Sequence, residues 1–237
     1  MIPLHDIHTR HRFPLMVVAL IAANALFFLF ELSLGESGLE RFLMSAAFVP
    51  GKLLADGFSA GDVAAGAQSG FLSMFLHGGW AHFLGNMLFL WVFGDNIEDR
   101  LGHARFLILY LAAGYVATIA HAWANPLSGL PAIGASGAIS GVLGAYLFIH
   151  PKVRIVTVVF LGFFVRFIQV PAWVYLPIWF LLQLLPGLAS LGAPTANEQG
   201  GVAWFAHIGG FVAGPLLLLL LGGLRRQAPA PGPRRAF

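Results

Sequence analysis

The chain has 237 residues, of which 58% are apolar and only 10% charged, with a mean hydropathy of +0.81. A soluble domain carries about a quarter of its residues as charge, so the composition describes an integral membrane protein, and the lack of segments alternating like barrel strands makes it an all-α helical bundle. Cysteine is absent, which excludes disulfides, thiol catalysis and thiolate metal sites, and the basic residues behind an isoelectric point near 9.7 flank apolar spans instead of forming one nucleic-acid-binding patch.

Residues 1–12 form a polar N-terminal segment with His5, His8, Arg10, His11 and Arg12. The apolar run from Phe13 to Leu34 follows. Ala23-Asn24-Ala25 looks like a signal-cleavage site, but apolar sequence continues past it for long enough to span, which predicts the first transmembrane helix. Residues 35–77 mix glycine, serine and acids with apolar pieces too short to cross a bilayer, so a long first loop with interfacial helices is expected. The second helix is expected from Trp80 to Phe93, closing on the charged turn Gly94 to Arg100. The third runs from Phe106 to Trp123, and a loop containing proline and glycine leads from it to Gly134-Ala135-Ser136-Gly137.

Ser136 opens the fourth helix, which ends at the charged run from His150 to Arg154. From Ser136 to His150 is 14 residues, about 21 Å at 1.5 Å per residue against a hydrocarbon core of about 30 Å. The serine therefore lies below the opposite face, where a polar group is costly unless it serves a cavity or a site. The stretch Ile155 to Val165 makes only about 17 Å of helix and is taken as an interfacial excursion. The fifth helix covers Pro171 to Leu185, with a kink expected at Pro177. Residues 190–201 form a polar loop, the sixth helix runs from Val202 to Leu224, and residues 225–237 are a Pro/Ala/Arg tail expected to be disordered.

Six spans place both termini on one side. If that side is the cytoplasm, Arg10, Arg12, Arg100, Arg105, Lys152, Arg154, Arg166, Arg225, Arg226, Arg234 and Arg235 lie inside and only Arg41 and Lys52 outside, eleven against two. The expected location is a bacterial inner (plasma) membrane with cytoplasmic termini. A seventh span at Ile155 to Val165 would invert the last helix and weaken this bias. Internal repeats of the kind common in transporters are not evident.

Counting from the cytoplasmic ends brings three polar residues level. Ser136 is 14 residues from His150, His207 is 14 from Leu221, and His82 is 13 from Asp95, each about 20 Å above the inner face. Asn86 lies one turn from His82 on the same helix face. His207, Gly210 and Gly214 share a stripe that fits the small-residue face of Gly137, Gly141 and Gly144. A serine beside a neutral histidine is the minimum for nucleophilic attack on an amide, since the imidazole takes the hydroxyl proton and returns it to the leaving amine. No acid lies at this depth on the fourth or sixth helix, so a dyad is expected. The Ser136 backbone N–H with the side chains of Asn86 and His82 can supply the oxyanion donors.

Each residue also has a bland reading. Gly137, Gly141 and Gly144 serve close packing in any case, and His77, His103 and His121 read as packing residues, with Asn24, Glu31 and Gln183 structural or interfacial. Two histidines at one depth can hold a metal, but His-Glu-x-x-His and a nearby acidic ligand are missing, so no metal site is expected. Gly94-Asp95 faintly resembles an intramembrane aspartyl site without its second buried aspartate.

Gly134-Ala135-Ser136-Gly137, Ala206-His207-Ile208-Gly209-Gly210 and the run from His77 through His82 to Asn86, together on the fourth, sixth and second helices, resemble the rhomboid intramembrane serine proteases over residues 13–224. The resemblance implies a six-helix bundle with Ser136 as nucleophile, His207 as general base and acid, and His82 and Asn86 at the oxyanion. It implies transmembrane segments of other membrane proteins as substrates, entering past the second and fifth helices, and no cofactor. Two features depart from the pattern. Ser140 stands where some members carry an aromatic packed on the catalytic imidazole, and the first loop lacks the Trp-Arg pair of some bacterial members. A non-catalytic rhomboid-like client binder and a transporter are the rival readings. The substrate, cleavage site and oligomeric state are not specified by the sequence.

Overall fold

The long apolar runs fold as helices because, inside a bilayer, a helix satisfies its own backbone polar groups. The computed structural model describes residues 1–8, 11–54, 60–162, 164–190 and 203–224. The bundle comprises α1 (Leu15–Ser33), α5 (Trp80–Leu101), α6 (His103–Ala124), α7 (Ser136–Ile149), α8 (Ala172–Ser190) and α9 (Trp204–Leu220), and the first loop carries α2 (Gly35–Ala46), α3 (Pro50–Leu54) and α4 (Ala60–Ser73). Among the described residues, three helices are long and apolar enough to cross a membrane, at Leu15–Ser33, His103–Ala124 and Ala172–Ala189, while α7 and α9 are shorter apolar helices. Leu26, Leu29, Ile119, Leu181, Leu185 and Leu220 stay exposed on the outside of the bundle, as side chains facing lipid do.

The core is built around α7, which packs against α5, α6 and α9. Its glycines set the spacing. A Cβ on Gly210 would lie 2.0 Å from the Gly137 carbonyl oxygen, one on Gly214 1.9 Å from that of Gly141, and one on Gly144 2.0 Å from that of Phe211. On the other flank, a Cβ on Gly141 would meet the Ala113 methyl at 2.3 Å. Backbones this close admit no side chain between them, so α9 and α7 are held in one register by shape.

The all-α expectation needs correction. The segment taken as an interfacial excursion is a hairpin of β2 (Arg154–Leu161) and β3 (Phe164–Pro171), completed by β1 (Ile2–Asp6) into a three-stranded antiparallel sheet of order β1-β2-β3. Its register sets Ile2 opposite Val158, and Arg154 opposite Pro171. Ile155-Val156-Thr157-Val158-Val159-Phe160 is β-branched and aromatic, which favours a pleated surface, and Gly162 at φ +61° supplies the left-handed residue that the reversal needs. Residues 2–6 of the N-terminal segment are therefore a sheet strand. Asp6 accepts hydrogen bonds from Asn96 on α5 and from Tyr146 on α7, pinning the strand under the bundle.

The second correction concerns Gly94 to Arg100, expected to be a charged turn and found inside α5, which runs to Leu101. Glu98 is buried there because α1 needs it. Pro14 gives α1 no side-chain cap, and the N–H groups of Met16 and Val17 donate instead to the two Glu98 oxygens, each at 2.8 Å. The depth of His82, counted from Asp95, was thus measured from a point that does not end the helix. α8 continues past Pro177 and past Leu185, its expected end, to Ser190. The expected loop after Ser190 and the tail 225–237 lie outside the described residues.

Candidate active site

Gly134 begins the site. Its φ of +118° is one that side-chain-bearing residues rarely adopt, and a Cβ there would lie 2.5 Å from His82 Nε2. Its N–H donates to the carbonyl of Ser73 at 2.8 Å, and the Ser73 hydroxyl accepts from Phe48 N–H at 2.8 Å. Phe48 in turn bridges to Ala132. The long first loop therefore fastens the turn that delivers Ser136 to the first position of α7, where the helix leaves an N–H without an i−4 acceptor.

Ser136 Oγ donates to His207 Nε2 at 2.8 Å across the α7–α9 contact. His207 is 9% exposed. The pair lies in a cavity of about 940 Å³ also lined by His82, Asn86, Trp80, Phe89, Trp179 and Gln183. Its lining combines aromatic and polar side chains. The structure thus gathers into one cavity Ser136, His207 and His82, which the sequence places at one depth, and Asn86, one turn from His82. His121 lines a much smaller void behind Ser136, and His103 sits apart, beside Glu98.

Two residues that sequence reasoning left as packing or structural hold the polar lining. His77, 1% exposed, accepts from Asn86 Nδ2–H at Nε2 (3.0 Å) and donates from Nδ1–H to the Phe75 carbonyl (3.2 Å). Burial, with the neighbouring His82 second, pushes His77 down to about 4, so the ring is neutral at physiological pH, as these two bonds require. The His77 backbone N–H donates to both oxygens of Glu31 on α1, at 3.0 and 3.1 Å. Glu31 anchors the turn, the turn places the imidazole, and the imidazole orients Asn86. The sequence signal was present in an acid inside an apolar helix, but its partner lay 46 residues away.

Ser140, in place of a stacking aromatic, donates to the Ser136 carbonyl at 2.6 Å and is fully buried. The His207 ring is instead flanked by Trp179 and Trp204, with centroids at 6.1 and 6.3 Å. Its Nδ1 lies 2.8 Å from Gln183 Oε1 on α8.

The Rhomboid domain family matches residues 67–224. The chain is similar to Rhomboid protein 1, mitochondrial, of Saccharomyces cerevisiae, at 33% identity over 61% of this chain and 39% of that protein. It is similar to Rhomboid protease GluP of Bacillus subtilis at 47% identity over 31% of this chain and 14% of that one. Presenilin-associated rhomboid-like protein, mitochondrial, of Homo sapiens is 36% identical over 39% of this chain and 25% of its own length. The chain spans less than half the length of these relatives.

Proposed function

Because the chain belongs to the rhomboid family, we propose that it is an intramembrane serine endopeptidase that cleaves other membrane proteins in or near their transmembrane segments. The observation that carries this reading is the 2.8 Å hydrogen bond from Ser136 Oγ to His207 Nε2 inside the cavity. In the proposed mechanism Ser136 Oγ attacks the scissile carbonyl while His207 Nε2 takes its proton. The C–N bond then breaks as His207 returns that proton to the leaving amine, and water hydrolyses the acyl-serine by the same exchange in reverse.

The charge that develops on the carbonyl oxygen is met by the Ser136 N–H, by Asn86 Nδ2 and by His82. His77 spends its lone pair on one Asn86 N–H, which leaves the amide in a fixed orientation with its second N–H for the oxyanion. The six helices of the bundle are proposed as six spans with both termini on the cytoplasmic side. Substrate is proposed to approach sideways between α5 and α8, where the cavity is lined by both helices.

The test is cleavage of a single-pass reporter co-reconstituted in liposomes, read by fragment mass. Cleavage inside or beside the reporter's transmembrane segment is expected, and an uncut reporter with well-folded protein would sink the reading. In the same assay Asn86→Ala should lower kcat roughly 10²–10³-fold, the usual cost of one oxyanion donor. An unchanged rate would remove Asn86 from the mechanism.

A further inference from the structure

We infer that Gln183 is a positioning residue for His207, a neutral third member that sets the tautomer of the imidazole; the inference rests on the dyad proposed above. The polar bonds around the ring are mutually consistent in only one proton arrangement. For Ser136 Oγ–H to donate to Nε2, that nitrogen must carry a lone pair, so the neutral ring holds its proton on Nδ1. Nδ1 faces Gln183 Oε1 at 2.8 Å, and a carbonyl oxygen can only accept. The amide is itself oriented, since its Nε2 donates to the Trp179 carbonyl one turn earlier on α8, at 3.4 Å. Reversing the amide would set an N–H against Nδ1–H and break both bonds.

The arrangement does what a carboxylate does in a charged triad, with a neutral group. A buried carboxylate here would need its own counter-charge, and the described neighbours offer none: the titratable groups acting on His207 are His82 on α5 and His121 on α6, and its ring walls are Trp179 and Trp204. An amide oxygen fixes ring and tautomer without that cost. It also ties the imidazole to a helix other than its own. Only 22% of the most apolar stretch of α8 is buried, against 28% for that of α1 and 39% for that of α6, so the base is oriented by the least enclosed of these three helices. A displacement of α8 takes the acceptor with it.

Three variants and one spectrum test this. Gln183→Met keeps the length and removes the acceptor; Gln183→Asn keeps the amide but withdraws it by one methylene; Gln183→Glu restores an acceptor at full length. With the liposome reporter, Met and Asn are expected to lower kcat by roughly 10–100-fold, the worth of one buried hydrogen bond, with KM within about twofold, while Glu recovers most of the rate. Nitrogen-15 NMR of histidine-labelled protein in micelles, with the His207 signals assigned by their loss in His207→Ala, should show the Nδ1–H tautomer in the wild type and a mixture in Gln183→Met. Kcat within twofold of wild type in both Met and Asn variants, while His207→Ala falls by roughly 10²-fold or more, would overturn the positioning role and leave the protease intact. An Nε2–H tautomer in the wild type would overturn it by spectrum alone, and that readout holds even if no cleavage is found and the protease reading itself falls.

Discussion

Ser136→Ala is expected to abolish cleavage of the liposome reporter, down to the rate seen with protein-free vesicles, and to leave the thermal unfolding of the protein unchanged. The argument is local. The hydroxyl at the start of α7 is hydrogen-bonded to the His207 ring, at 2.8 Å, and its removal deletes the atom that would form the acyl bond. Deleting it leaves no large void, because Ser136 sits at the cavity wall and not in the packed core. His207→Ala should fall by roughly 10²–10⁴-fold, the worth of general acid–base catalysis, with some loss of stability because the ring is buried. Turnover retained in Ser136→Ala would mean that another nucleophile does the work.

The second large effect is steric. Gly210→Val should abolish activity and also lower thermal stability, because even the first added carbon lies 2.0 Å from the Gly137 carbonyl oxygen and 3.3 Å from Ser140 Cβ. Neither neighbour is the end of a flexible side chain, so α9 must move as a unit away from α7. Such overpacking costs typically 1–3 kcal/mol in well-packed proteins, and here it also pulls His207, three residues earlier on α9, from Ser136. Gly85→Ala is the contrast. A Cβ on Gly85 meets nothing within 4 Å, and alanine is the better helix former by about 1 kcal/mol, so thermal unfolding should stay level or rise. A fully active Gly210→Val would show that close helix contact does not hold the two residues together.

Much of the bundle could be read from the chain because the bilayer narrows the choices. An apolar run of span length must be helical, and a polar side chain within one needs a partner. That is why Ser136, His207, His82 and Asn86 could be selected before any coordinates. Ile155 to Val165 escaped the same reasoning because it is too short to span and lies next to the membrane, where a paired strand is as permissible as a helix. Its periodicity alone does not separate the two, and its partner β1 is more than a hundred residues away in sequence. Gly94 to Arg100 misled for a related reason. Charges usually mark the end of a span, but Glu98 is drawn inward by the uncapped N–H groups of Met16 and Val17.

The supporting residues were the least legible part of the site. Glu31, His77 and Gln183 each act through one hydrogen bond across the bundle, and a single polar residue in an apolar helix does not announce which neighbour it will meet. In the sequence Gln183 falls two residues before the expected end of the fifth helix at Leu185, and only the folded arrangement turns its amide toward His207.

The proposed chemistry requires a serine made nucleophilic by the imidazole beside it, and a covalent fluorophosphonate probe reads that property directly. Incubated with folded protein in liposomes and mapped by peptide mass spectrometry, the probe should form one adduct, on Ser136, that is absent in Ser136→Ala and strongly slowed in His207→Ala. Folded wild-type protein that takes up no probe, or that carries it on Ser140 or another hydroxyl, would contradict the assignment.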